Sequence, residues 1–130
     1  MNIEVTGHAV PRLTRREAAA FVRKVLLALD EDFDVSIAFV DDDAMKNLNR
    51  KFRKTNKTTD VLTFPGEPPD IVISIDQAKR QAADERHSLA TEVRYLLLHG
   101  VLHALGYDHE TDDGEMNELE VEIRGKVGLD

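Results

Sequence analysis

The chain contains no cysteine and no tryptophan. Without cysteine it can form no disulfide, no thiolate nucleophile and no cysteine-ligated zinc. Five Phe and two Tyr are its only large aromatic residues, too few for a broad stacking platform. Any nucleic-acid affinity would therefore come mainly from phosphate contacts. Long apolar runs are also missing. Runs such as Tyr95-Leu96-Leu97-Leu98 fall far short of the ~20 residues that span a bilayer. Met1–Thr6 lacks the basic and apolar regions of a secretory signal. The expected location is the cytoplasm, with no membrane partner.

What remains is an ordinary globular composition: 130 residues, 42% hydrophobic and 32% charged. That length suits a single domain over residues 1–130, large enough to bury a real core. The net charge of −8 at first argues against a nucleic-acid partner, but the charge is uneven. Ala44–Thr59 holds six basic residues (Lys46, Arg50, Lys51, Arg53, Lys54, Lys57) and no acidic one. Carboxylates gather at Asp30–Asp43 and towards the C-terminus. Such a strip either meets a phosphate backbone or simply keeps a helix face solvated.

Local patterning predicts alternating strands and helices, followed by a run of helices. Strands are expected at Ile3–Val5, Asp34–Val40, Asp60–Phe64 and Ile71–Ile75, the last two split by the breaker-rich Pro65–Pro69. Thr14-Arg15-Arg16-Glu17 fits a capping box, and Phe21, Val22, Val25, Leu26 and Leu29 follow at helical spacing. Asp41 or Asp42 should cap a second helix reaching about Phe52, with Met45, Leu48 and Phe52 on one face. Further helices are expected over Gln77–Arg86, over Leu89–Leu105 and from about Asp113, the last with a core stripe of Met116, Leu119, Ile123 and Val127. The expected fold is α+β: a small mixed sheet of about four strands packed against several helices.

The strongest chemical signal is His99-Gly100-Val101-Leu102-His103-Ala104-Leu105-Gly106-Tyr107-Asp108-His109. On a helix, His99 and His103 share one face, with Cβ atoms roughly 5–6 Å apart, close enough for one metal ion. Gly106 offers a left-handed residue that stops the helix and turns the chain, bringing His109 in as a third nitrogen. Three histidines without cysteine match an open catalytic zinc site better than a closed structural one. A lone histidine on such a face would more simply be a hydrogen-bonded core residue. The spacing is also that of metzincin proteases, which carry a glutamate directly after the first histidine. Here that position is Gly100, so the protease base is missing.

The histidine run closely resembles the YbeY family of bacterial endoribonucleases. Leu48-Asn49-Arg50-Lys51-Phe52-Arg53, then Thr59-Asp60-Val61-Leu62-Thr63-Phe64-Pro65, and Asp70-Ile71-Val72-Ile73 carry the resemblance further, as do Met116 and Glu120. It covers about Asn47 to the C-terminus, while the N-terminal third matches in element order alone. Lys54, Thr58 and Pro69 stand where the family usually has Gly, Pro and Gly. The resemblance implies a zinc-dependent, single-strand-specific endoribonuclease in ribosomal RNA maturation, including 3′ maturation of the small-subunit RNA, and in ribosome quality control. Its partners would be single-stranded RNA and the ribosome or ribosome-associated proteins. His99, His103 and His109 fall on the family's metal ligands, and Arg53 on its functionally important arginine.

In this reading one zinc per chain leaves a coordination position for water, whose pKa it lowers to about 7. Alternatively the metal polarises a phosphoryl oxygen while the RNA 2′-hydroxyl attacks. Arg53 would grip the scissile phosphate with two hydrogen bonds. Asp108 either orients a ligating histidine or accepts a proton, or else caps the turn. Tyr107 is expected to pack at the helix end, and Thr59 and Asp60 to pin the loop beside the cleft. His8 and His87 are expected to be ordinary surface residues. Two other functions fit the sequence: a non-catalytic metal-binding module associated with ribosomes, and a metal-dependent hydrolase with a non-RNA substrate.

Overall fold

The computed structural model describes residues 1–53, 59–108 and 112–129, with Arg53 described by its backbone alone. Val35, Ile37 and Phe39 alternate with half-buried neighbours, the period-two pattern of a strand with one face on a core. They form β2 (Val35–Val40), which pairs in parallel with β1 (Ile3–Gly7) and with β4 (Asp70–Ser74). β3 (Val61–Phe64) runs antiparallel on the far side of β4, giving the order β1-β2-β4-β3. The expected mixed four-stranded α+β fold is the one observed.

Two helices begin at the side-chain caps expected of them. Thr14 and Glu17 form the full capping box of α1 (Arg15–Ala28), and Asp41 Oδ1 accepts from the Ala44 amide at the start of α2 (Asp42–Leu48). Ser88 accepts from the Thr91 amide and opens α4 (Leu89–Ala104). Ser74 accepts from the Gln77 amide, so the chain turns helical at once and α3 is Ile75–Glu85. Ile75 is therefore the first helical residue, not the last of the strand. α5 (Glu115–Val127) starts two residues later than expected, after Gly114 in a left-handed conformation. The Asp112 carboxylate accepts from the Gly114 and Met116 amides and satisfies that helix end.

The second helix departs from expectation. Its α-helical part ends at Leu48 and a π-helical turn, Asn49–Arg53, follows. Met45 is fully buried, yet Phe52 is 58% exposed, so the two do not share a buried face.

α4 carries the histidines and is buried nearly all round, through Val93, Leu96, Leu97, Leu98, Val101 and Leu102. Each such aliphatic side chain stabilises the fold by roughly 1.5–3 kcal/mol relative to exposure. These residues share one core with α1, with Met116, Ile123 and Val127 of α5, and with Ile37, Phe39, Ile71 and Ile73 of the sheet. A smaller cluster, Met45 with Leu62 and Val72, sits under α2. No helix among the described residues is long and apolar enough to cross a membrane.

Candidate functional site

α4 ends where Gly106 permits it. With φ at +97°, Gly106 donates to the His103 carbonyl at 2.9 Å, and the Tyr107 amide donates to the Leu102 carbonyl at 3.1 Å. This pair of bonds reverses the chain just past the second histidine. Tyr107 packs against the main core, as expected for a helix-end residue.

The turn also sets the chemistry of His103. Its Nδ1 lies 2.9 Å from the Tyr107 carbonyl oxygen. A carbonyl can only accept, so Nδ1 carries the proton and Nε2 is the basic nitrogen. That tautomer is the one a histidine needs to bind a metal through Nε2.

His99, one turn earlier, meets a carboxylate from another helix: its Nε2 pairs with Oε1 of Glu120 on α5, which is 7% exposed. Burial pushes the imidazole's pKa down, but the hydrogen bond and charge of Glu120, with the charges of Asp60 and Glu92, outweigh it and hold it above its ordinary value. These carboxylates favour positive charge at His99, whether it comes from a proton or a metal ion. Glu120 escaped the sequence reading as a functional residue. The signal was present: it follows Met116 by four residues and precedes Ile123 and Val127, a carboxylate on a core-facing row, where charge is rarely left unpaired.

Both histidines open into a cleft of about 770 Å³, walled on one side by Asp60–Phe64 and on the other by α4 and its turn, with Asp108 and Phe52 at its edges. The structure thus brings together His99, His103 and Asp108. Asp60 pins the cleft wall, as expected. Its Oδ1 accepts from the Val61 amide at 2.7 Å and its Oδ2 from Gln81 at 3.2 Å, and its charge also acts on His99. His109 lies outside the described residues, as do Lys54, Thr58 and Lys57, and the Arg53 side chain is not described. Among the described residues no group of three His, Cys, Asp or Glu side chains forms a ready metal cage. Lys46, Arg50 and Lys51 of the basic strip are exposed.

His8 is exposed, as expected. His87 is not an ordinary surface residue. It bonds Glu92 at 2.6 Å and stacks on Tyr95 with ring centroids 5.6 Å apart, tying the start of α4 to the preceding turn.

A family model described as endoribonuclease YbeY matches residues 4–128. The chain belongs to the YbeY family. The match reaches almost to the N-terminus, beyond the Asn47 boundary of the motif resemblance. Among YbeY relatives, the endoribonuclease YbeY of Nautilia profundicola is 50% identical over 104 residues, covering 75% of each chain. That of Koribacter versatilis is 46% identical over 121 residues, covering 90% of this chain and 74% of its own. That of Solibacter usitatus is 40% identical over 129 residues, covering 96% and 88%. The solution structure of TM1509 from Thermotoga maritima superposes with a TM-score of 0.70 at 27% identity, covering 96% of this chain and 88% of that one.

Proposed function

We propose that this YbeY-family chain is a zinc-dependent endoribonuclease that cuts single-stranded RNA and acts in ribosomal RNA maturation and ribosome quality control in the cytoplasm. The family membership supports the nuclease activity. The observation that carries the metal assignment is the His103 tautomer: the Tyr107 carbonyl holds the proton on Nδ1, beside a second imidazole and inside an open cleft. The donor chemistry fits zinc, since neutral imidazole nitrogens suit it and the chain has no thiolate to close the site.

His99, His103 and His109 would hold the ion, with Glu120 steadying His99. Zinc bound there supplies Lewis acidity, making a water more acidic and polarising the phosphodiester. The Arg53 guanidinium grips the phosphate at two points and offsets the charge that develops there. Asp108, which lines the cleft, would accept a proton from the attacking hydroxyl or orient a ligating histidine.

The test is metal content measured on the same preparation that is assayed against single- and double-stranded RNA. About one zinc per chain, with cleavage of the single strand alone, supports the proposal. Zinc without cleavage of either RNA would instead indicate a metal-binding module.

A further inference from the structure

Leu27, Phe52 and Val121 are the large apolar side chains most exposed among the described residues, and of these Phe52 alone lines the histidine cleft. A π-helical turn takes more residues per turn than an α-helix, so side chains beyond it rotate away from the preceding face. The Asn49–Arg53 turn therefore swings Phe52 off the row of Met45 and out to the cleft edge. The ring is nonetheless positioned. It meets Phe64 edge to face, with centroids 5.3 Å apart at 66°, and Phe64 packs on the Met45, Leu62 and Val72 cluster. Lys51 Nζ lies 5.5 Å from the Phe52 centroid.

We propose that Phe52 is a nucleobase-stacking residue: a base of the strand lying in the cleft stacks on its ring, and Lys51 faces the phosphate of that nucleotide. The proposal rests on the RNA substrate assigned above. An exposed ring with an ammonium group over one face suits a nucleotide, whose base takes the opposite face while its phosphate meets the ammonium. The consequence is selectivity. In a duplex the bases already stack on one another and offer no face, so Phe52 can reward a single strand only.

The experiment compares wild type, Phe52→Ala and Phe52→Trp, each zinc-loaded. Binding of a short single-stranded RNA containing 2-aminopurine, and of its duplex, is followed by stopped-flow fluorescence before turnover. Phe52→Ala should weaken single-strand binding roughly 5- to 150-fold, the span of alanine substitutions at stacking aromatics, and leave duplex binding unchanged. It should also abolish the quenching of 2-aminopurine, which Phe52→Trp should restore. Because the ring is exposed, the thermal midpoint of Phe52→Ala should stay close to that of wild type. Unchanged single-strand affinity in Phe52→Ala, or an equal loss for strand and duplex, overturns the stacking role while the nuclease assignment stands. Failure of the wild type to bind or cleave any RNA overturns both.

Discussion

A Cβ added at Gly100 would stand 2.5 Å from Cγ2 of Ile71, so α4 and β4 approach as closely as a glycine allows. Ile71 is fully buried, and the Gly100 carbonyl accepts from Thr63 Oγ1 at 3.3 Å on the neighbouring strand. The position that holds a catalytic glutamate in metzincin proteases is here a contact between helix and sheet, and a side chain on it would enter the core. Gly100→Ala should therefore destabilise the protein. The overpacking costs ~1–3 kcal/mol, against ~1 kcal/mol gained in helix propensity. A lower urea midpoint is the expected result. An alanine variant as stable as wild type would show that the helix moves freely on the sheet. Gly100→Glu should be far less stable and show no peptidase activity.

His103→Ala should lose most of the metal, since two remaining protein ligands rarely hold zinc firmly. Elemental analysis of the purified variant measures this. Full occupancy would remove His103 from the ligand set.

Glu120→Gln should keep the fold, being close in shape, but should weaken zinc retention by roughly 10–100-fold, the usual effect of losing a carboxylate behind a ligating histidine. Competition with a chromophoric chelator reads this directly. Unaltered affinity would make the His99–Glu120 pair a feature of helix packing alone.

Arg53→Lys should cut the cleavage rate on the order of 10²-fold with zinc content unchanged. The charge survives, but an ammonium group cannot reproduce the planar two-point grip of a guanidinium. Single-turnover rates equal to wild type would return Arg53 to the solvated strip.

The exposed Lys46 and Lys51 should make RNA binding salt-dependent. Converting both to Gln, in a zinc-loaded Arg53→Gln background with binding read before turnover, should flatten the log–log salt slope by about 0.7 for each lysine that reaches a phosphate. An unchanged slope would place the RNA path elsewhere, beside Arg12, Arg15 and Arg16.

The local features of the site were legible from the amino-acid order. Helical period alone put His99 and His103 on one face, Gly106 marked the stop, and Thr14 and Asp41 marked where two helices begin. Short-range hydrogen bonds and backbone sterics determine these features within a few residues, so a window of sequence contains their causes. Three relationships were decided only by tertiary structure. Glu120 reaches His99 because α5 packs on the core beside α4, Gly100 is needed because α4 lies against Ile71, and Phe52 lines the cleft where β3 brings Phe64 against its ring. Each depends on how surfaces from distant segments fit together at close range. Residue periodicity records which face of an element is apolar, not which partner that face will meet.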